Sequence, residues 1–526
     1  MRLPVSARLA VATLTLSVSL TACVQPQTPD FPLVTTLGFE GFDAQQPTLK
    51  LRGGTPSALL SKDAEPEYIT VAPDGKAAYV TVQESNAVAT LDLTTGTWAG
   101  LKSLGFKDHS AAGMGLDASD KDGAINIQNW PVQGAYMPDA IASFASGGQT
   151  YLLTANEGDT REYAAFADAA KVADLKLDAA AFPNAADLQK DAALGRLLVS
   201  RVDADTDGDG DADQLVSFGG RSMSVWTTGL TRVADTGDLF ERKTAELTPS
   251  SFNSGGTNST RDTRSDNKGP EAEGVTVGQV AGKTLAFVGL ERTGGVMVLD
   301  VSTPTAPAFV GYANTVTPTA APNSGLAGDL GPEGLLFIPA AESPNGSNIL
   351  VVANEVSGST TLYSVADAGN LTLLGRSQVT PYAFDKGAAE IPAYDSASKR
   401  LFVVNGATGG LDILSISDPT KPALVGAANL SKYGASANSV TVKNGVVAVA
   451  VQDAVKTNPG KVAFLNSDGT ERAPAVTVGA LPDMLTFTPD GSLLLVANEG
   501  EPNDDYSVDP AGSVSLINVS KALQNK

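Results

Sequence analysis

The chain has 526 residues, with 53 glycines, 30 prolines, a single cysteine and a formal net charge of −22 at pH 7. Such an acidic surface argues against nucleic acid as a partner and favours divalent cations or cationic polymers. The lone cysteine excludes a disulfide bridge and a c-type haem. Low aromatic content with many glycines and prolines is typical of an all-β fold.

Residues 1–22 have the pattern of a signal peptide. Two arginines and an apolar run over residues 9–20 precede the sequence Leu-Thr-Ala-Cys23. This resembles a bacterial lipobox, in which the cysteine is acylated and becomes the mature N-terminus; the alternative is an ordinary signal peptide with an incidental cysteine. We expect lipidation of Cys23, a tether over residues 23–32, and a bacterial envelope location at the outer membrane or cell surface, with the lipid as the only membrane contact.

Seven copies of one phrase follow along the chain. Each begins with Pro-Glu, Pro-Asp or a related pair, continues through two apolar strands and often ends in Asn-Glu. The copies start near residues 67, 139, 273, 333, 390, 438 and 483. Spacings of roughly 45–70 residues with about four short strands each predict a seven-bladed β-propeller over residues 33–526.

The last repeat lacks room for a fourth strand, because only seven residues follow the expected strand at 513–519. An open sheet edge would expose unpaired backbone groups. We therefore expect an N-terminal strand, at residues 33–37 or 48–52, to close the ring.

The second repeat contains a large insertion, residues 158–269. Its Ala- and Asp-rich part, residues 162–194, predicts one or two helices broken at Pro183, and residues 250–268 predict a mobile surface loop. Strands are expected at 196–202 and 215–227. The insertion is therefore expected to be partly helical.

An Asp-rich loop, residues 203–213, lies between these two strands. Its acids alternate with Ala, Thr and Gly, and they are Asp203, Asp205, Asp207, Asp209, Asp211 and Asp213. Alternating carboxylates with glycine at the turn predict calcium binding, although Gln214 stands where a calcium loop of the helix-loop-helix type has a bidentate glutamate. The alternative is a solvated acidic turn.

Acidic residues also recur where the first strand of a repeat opens and where the second closes. These positions lie at one mouth of a propeller channel. The openers are Glu67, Asp139, Glu273, Glu333, Glu390 and Asp483, and the closers are Glu84, Glu157, Glu291, Glu355, Asp453 and Glu499. Crowded carboxylates raise one another's pKa unless cations bind, so this mouth is a candidate metal or polar-ligand site. The alternative for each acid is a turn cap.

Basic side chains accompany these acids and suggest a second hypothesis. Arg161 and Arg292, with His109, are the candidate catalytic groups of a metal-dependent, alkaline phosphatase-like phosphoesterase. Its metals would be held by acids of this mouth, including Glu157, Asp159, Glu273 and Glu333. The two arginines equally fit charge balance in a network. A glycosidase-like pair of carboxylates is a third alternative.

Several phrases resemble the choice-of-anchor I domain family, which includes mesenchyme-specific cell-surface glycoproteins. They include KDHSAAGMGLDASDKDGAIN from Lys107, YLLTANEGDTREY from Tyr151 and GDLGPEGLLFIPAAESPNG from Gly328. The repeat cores are similar to YVTN and LVIVD propeller repeats. The resemblance implies a surface-anchored propeller, associated in animals with calcium-rich mineralising cells, and it implies metal binding by Glu157, Asp159 and Glu333. Some bacterial relatives are labelled alkaline phosphatase.

The fifth repeat departs from this pattern because Gly406 stands where the closing acid is expected. The leading hypothesis is a monomeric, lipid-anchored propeller that binds calcium, and a second divalent or trivalent metal, at an acidic channel mouth. Glu355 completes the set of candidate metal ligands. The mouth would be presented to a phosphorylated or polymeric ligand of the cell envelope.

Overall fold

The computed structural model describes residues 30–45, 59–257 and 260–524. The expected signal peptide, Cys23 and the second closing segment at 48–52 lie outside these residues. Within them, no helix is long and apolar enough to cross a membrane.

The predicted all-β class is confirmed, and the fold is propeller-like. The described residues form seven four-stranded antiparallel sheets, five of which consist of four consecutive strands. The first sheet contains Pro66–Val71, Ala77–Val82, Ala87–Asp92 and Thr97–Ser103. The third contains Ala272–Val280, Lys283–Leu290, Val296–Asp300 and Ala308–Ala313. The fourth contains Pro332–Ile338, Ile349–Asn354, Ser359–Val365 and Leu371–Gln378.

The fifth sheet contains Pro392–Asp395, Arg400–Asn405, Gly410–Ser415 and Ala423–Ala428, and the sixth contains Ser436–Lys443, Val446–Gln452, Pro459–Leu465 and Glu471–Ala480. The second sheet is interrupted by the insertion and contains Ile141–Ser146, Gln149–Asn156, Ser222–Thr227 and Arg232–Asp235. Each first strand begins within two residues of the start expected from the repeats.

The seventh sheet combines both ends of the chain. Pro482–Phe487, Leu493–Asn498 and Ser513–Asn518 are joined by Val34–Gly38 as the outer strand. The pairing is antiparallel and places Val34 opposite Ile517 and Gly38 opposite Ser513. This outer strand falls on the first of the two expected closing segments.

Middle strands are buried on both faces because each sheet packs between two others. In Ile349–Asn354 every residue is buried. Leu350 and Val352 pack with the third sheet, whereas Ile349 and Val351 pack with the fifth. Alternate side chains of a strand point to opposite faces, so continuous Val/Leu/Ala runs suit this stacking. The first strands of successive sheets contact one another, and that of the seventh sheet contacts that of the first.

The helices expected in residues 162–194 are wrong. This part of the insertion contains short strands at Glu162–Tyr163, Phe166–Ala167 and Ala169–Lys171, a 3-10 turn at Val172–Asp174 and a four-residue helix at Ala185–Leu188. Its sparse apolar side chains, including Leu177, Phe182 and Leu194, instead fill a small separate core with Val199. Tertiary burial thus overrides the helical propensity of alanine-rich sequence.

The rest of the insertion is also packed. Ala169–Lys171, Leu198–Ser200, Val216–Ser217, Gln133–Ala135 and Phe106–Asp108 form one five-stranded sheet. The expected surface loop at 250–268 is partly buried, since Phe252, Asn253 and Ser265 are fully enclosed. The remaining helical segments are Glu40–Gln45, Leu60–Asp63, Arg201–Ala204, Leu239–Leu247, Pro322–Ser324 and Val519–Gln524.

Candidate functional site

The acidic openers stand at irregularities of the innermost strands. In the first, third, fourth and seventh sheets the pairing with the second strand shifts register at the opening acid, for example between Pro332 and Leu335. Such β-bulges turn a side chain away from the regular pleat. Proline suits the preceding position, because a first strand residue needs no ladder donor. The Pro-acid sequence therefore coincides with a β-bulge that turns the carboxylate away from the regular pleat.

Glycine brings neighbouring openers close together. A Cβ on Gly274 would lie 2.1 Å from the carbonyl oxygen of Glu333, and one on Gly334 would lie 2.4 Å from that of Glu390. Only glycine permits these backbone approaches. The Glu-Gly sequence in the third and fourth sheets therefore sets the spacing between successive acids around the channel.

The openers converge on one end of the channel. All six are half-buried, and they are Glu67, Asp139, Glu273, Glu333, Glu390 and Asp483. Burial raises the pKa of each, to about 8 for Glu390 and about 7 for Asp483. The charges of Asp139 and Asp483 also raise the pKa of Glu333, so acids of the second, fourth and seventh sheets act on one another. This end of the channel disfavours further negative charge and favours cations.

The opposite part of the channel is lined differently. Thr70, Ser143, Thr276 and Thr486 lie there among apolar side chains, with Lys443 as the charged residue. This lining contains no carboxylate.

Three acids cluster at the junction of the first and seventh sheets. Carboxylate oxygens of Glu67, Asp483 and Glu499 all lie within 4.8 Å of one another. Burial and the charges of Glu499 and Glu84 raise the pKa of Glu67 well above its ordinary value. Within the described part of the chain, none of these four acids forms an ion pair with lysine or arginine. We call Glu67, Asp483 and Glu499 the seam triad.

A second triad, Glu157, Glu271 and Glu291, has the same spacing and is fully buried. Here the chain supplies the cations. Lys268 Nζ lies 2.7 Å from Glu157 and 3.2 Å from Glu271. Arg264 pairs with Glu271, and Arg292 pairs with both Glu271 and Glu291. We call this the ion-paired triad.

Charges within the ion-paired triad stabilise one another. Burial opposes the charge of Lys268, but Glu157 and Glu271 raise its pKa well above the ordinary value. Burial likewise opposes the charge of Glu271, yet Lys268 and Arg264 lower its pKa. Gln83 donates to the second oxygen of Glu157. Burial nevertheless raises the pKa of Glu157 and of Glu291, so the lysine and the arginines offset only part of the crowding of the three acids.

Other candidate metal ligands differ in their surroundings. Asp159 is largely exposed, 3.8 Å from Lys268, while Glu355 is half-buried beside Glu291. Glu273 and Glu333 each have a buried Oε2 without a hydrogen-bond partner. Asp453, by contrast, caps a turn by accepting from the Val455 backbone and the Asn458 side chain, and it lies outside the cluster of openers.

The candidate catalytic groups are engaged in structural contacts. Arg161 is buried, pairs with Asp63 at 3.0 Å and donates to the carbonyl oxygens of Asp63 and Glu84. His109 is completely buried, its Nδ1 lies 2.6 Å from the Met114 carbonyl oxygen, and burial lowers its pKa well below the ordinary value. Burial thus disfavours the charged form of His109, which lies before the second sheet, beside Val132 and Gly134.

The Asp-rich loop is exposed and organised by its own carboxylates. Asp205 accepts hydrogen bonds from the backbone of Gly208 and Gly210, and Asp213 accepts two from Thr206. Oxygens of Asp205, Asp207 and Asp209 lie within 4.8 Å of one another. Asp211 pairs with Lys176. Asp203, half-buried, begins the loop at the end of the helix Arg201–Ala204.

Two acids of the site were not singled out from the sequence. Glu65 and Glu271 each stand two residues before an opener, and both are buried. Burial and the charge of Glu84 raise the pKa of Glu65 well above its ordinary value. The doubled acid, Glu-Pro-Glu at 65–67 and Glu-Ala-Glu at 271–273, is the signal that would have identified them.

The chain is similar to several known proteins. Residues 17–304 and 390–525 match the choice-of-anchor I domain. Gigasin-3a of Magallana gigas is 33% identical over 195 residues, covering 35% of this chain and 68% of that protein. The mesenchyme-specific cell surface glycoprotein of Strongylocentrotus purpuratus is 26% identical over 293 residues, covering 49% of this chain and 37% of that protein. The β-propeller domain of Cps50 (Swd1) from Myceliophteria thermophila aligns with a TM-score of 0.42 and 10% identity, over 86% of this chain and 96% of that domain.

Proposed function

Because the chain belongs to the choice-of-anchor I domain family, we propose that it is a surface-located seven-bladed β-propeller whose acidic channel mouth binds divalent cations, calcium foremost. The seven four-stranded sheets are the blades, and Val34–Gly38 closes the ring. This assignment is supported by the contacts between successive first strands and by the pairing of the two chain ends.

The convergence of the openers carries the proposal. Six half-buried carboxylates meet at one mouth, and Glu273 and Glu333 keep oxygens without partners. Among the residues that the structure describes, no lysine or arginine pairs with any of the six. Oxygen-only donor sets suit hard cations such as calcium, magnesium and manganese. A cation relieves the mutual repulsion that otherwise raises the pKa of each acid.

A bound cation would also allow the acidic mouth to bind an anionic ligand. Carboxylates alone repel anionic polymers, whereas a calcium ion with open coordination positions accepts phosphate or carboxylate oxygens. The partner is then a phosphorylated or otherwise anionic polymer of the cell envelope, bound through the metal.

Surface location is supported by the sea urchin relative, whose name describes a cell surface glycoprotein. The tether is Cys23, acylated after removal of residues 1–22. Cys23→Ser is expected to release the folded protein from membranes, since the residue precedes the first described strand at Val34. Retention of the variant in a salt-washed membrane fraction would refute lipid anchoring.

The phosphoesterase alternative has less support. Arg161 already pairs with Asp63, and Arg292 pairs with Glu271 and Glu291, so neither guanidinium is available to hold a phosphoryl group. Phosphatase activity that is lost with chelator and restored by a metal would reverse this preference.

Calorimetric titration of calcium tests the proposal. Glu333→Gln keeps the shape of the side chain but removes its charge, and we expect it to weaken calcium binding while circular dichroism stays unchanged. Glu342→Gln, an exposed acid of the same sheet, is the matched control and should bind like the parent. Absence of calcium binding in the parent, or an isotherm of Glu333→Gln identical to that of the parent, would refute a role for this mouth. Glu273→Gln provides the same test if Glu333→Gln does not fold.

A further inference from the structure

We infer that one calcium ion binds at the junction of the first and seventh sheets, held by Glu67, Asp483 and Glu499 with Glu84 as a fourth ligand, and that it fastens the two ends of the ring. This inference rests on the proposed function and names its principal site. It goes further in assigning that ion a structural role in closing the ring.

The seam triad has the dimensions of a calcium site. Its three oxygens lie within 4.8 Å of one another. Calcium–oxygen distances of about 2.3–2.6 Å place ligand oxygens on opposite sides of the ion about 5 Å apart. A spacing of up to 4.8 Å between the three oxygens is therefore compatible with one such ion shared by the three acids.

Glu84 supplies an independent indication of a ligand. It is only 7% exposed, and its Oε2 is buried without a hydrogen-bond partner. It lies near the triad, and its charge is among the causes that raise the pKa of Glu67 and of Glu499. A buried carboxylate oxygen with no partner is costly unless something outside the described chain contacts it.

No lysine or arginine of the described chain forms an ion pair with the seam triad. Burial raises the pKa of Glu84, and the charge of Arg161 lowers it. The Arg161 side chain, however, pairs with Asp63 and donates to two backbone carbonyl oxygens, and in the described chain it forms no ion pair with Glu84. The same oxygen spacing in the ion-paired triad is accompanied by Lys268, Arg264 and Arg292. The seam triad therefore lacks the positive charge that its counterpart receives from protein.

The position of the ion explains why it would matter for stability. Glu67 and Glu84 belong to the first sheet, and Asp483 and Glu499 belong to the seventh. In the described chain no strand pairing joins these two sheets. An ion bound by acids of both sheets links them directly, at the junction between the first sheet and the sheet that contains both chain ends.

The test compares three charge-neutralising variants with the parent protein, all expressed without residues 1–22. Asp483→Asn with Glu499→Gln removes two seam ligands, Glu333→Gln removes an acid elsewhere at the mouth, and Asp207→Asn with Asp209→Asn alters the Asp-rich loop. Calcium stoichiometry and affinity are measured by calorimetry, and melting temperature is measured with calcium and with chelator. We expect the seam variant to lose one calcium ion or to bind it at least tenfold more weakly, and to lose most of the calcium-dependent rise in melting temperature.

The outcomes separate this inference from the proposed function. If the seam variant binds and melts like the parent while Glu333→Gln binds less calcium, the seam site is refuted and the acidic mouth stands. If the parent binds no calcium, both are refuted. If the double variant does not fold even with calcium, Glu499→Gln alone decides, because an unchanged calcium isotherm and melting shift for this single change would overturn the inference.

Discussion

The ion-paired triad and the seam triad each bring three carboxylate oxygens within 4.8 Å of one another but differ in what neutralises them. Glu157, Glu271 and Glu291 are fully buried and surrounded by Lys268, Arg264 and Arg292. The seam acids are half-buried, and none pairs with a lysine or arginine of the described chain. The difference teaches that spacing alone does not identify a metal site. What distinguishes the two is whether the protein has already supplied the positive charge.

Removing the charge of Lys268 should have the largest effect on the free energy of unfolding. Lys268→Met leaves Glu157 and Glu271 buried without their central partner, and we expect a loss of about 3–5 kcal/mol in the free energy of unfolding. Urea denaturation measures it. Lys283→Met breaks an ion pair with Asp300 at the surface and should cost less than about 1 kcal/mol. Similar losses for both variants would show that the ion-paired triad does not depend on its lysine.

Placing a lysine in the seam triad should stabilise the protein, by less than the loss of Lys268 destabilises it. Glu67→Lys places an ammonium group among Asp483, Glu499 and Glu84, as Lys268 stands among its acids. In chelator we expect the variant to be more stable than the parent by about 1.5–3 kcal/mol, the contribution of hydrogen bonds to charged groups. Added calcium should no longer raise its melting temperature at this site. A variant less stable than the chelated parent would mean that the seam acids do not repel one another appreciably.

The Asp-rich loop offers a third class of acids, exposed and organised by backbone hydrogen bonds. Asp207→Asn with Asp209→Asn retains acceptors for those bonds and removes two charges. If the loop binds calcium only when folded, tenfold excess over Kd adds about 1.4 kcal/mol, which this variant should lose. Thermal melting with increasing calcium measures it. An unchanged calcium response would indicate a solvated turn.

The pH dependence of stability tests the mouth without metal. Burial and the charge of Glu355 raise the pKa of Glu390 from 4.5 to about 8. A raised pKa in the folded state gives stability that is fully present below pH 4.5 and is lost as the pH rises to about 8. In chelator the unfolding free energy should fall across this range, and Glu390→Gln should reduce that fall. Equal slopes in urea titrations of parent and variant would contradict the assignment.

Much of the fold followed from local sequence, because the Pro-acid phrases mark strand starts to within two residues. The register shift at Pro332-Glu333 is likewise a local property of the phrase, whereas the acidic mouth stays a prediction. Side-chain contacts between residues far apart in sequence could not be predicted from local patterns. Arg161 donates to the carbonyl oxygen of Asp63, 98 residues earlier, a contact that no local pattern indicates. Residues 162–194 have helical composition, but they fold against a core assembled from other segments.

Asp453 shows a second limit of predicting side-chain contacts from the repeat pattern. It occupies the position of a closing acid, yet it caps its own turn, because Val455 and Asn458 provide nearby donors. Repeat position therefore predicts where an acid stands along the chain, but not whether its side chain turns inward.

The joining of the chain ends also constrains the order of folding. Asn518 donates to the carbonyl oxygen of Phe31, 487 residues earlier, beside the strand pair of the seventh sheet. Forming that pair closes a loop containing nearly the whole chain, and contacts of such long sequence separation slow folding. Five of the sheets consist of four consecutive strands and can form from local hairpins. The seventh sheet needs Val34–Gly38 and Ser513–Asn518 together, so we expect it to be completed last.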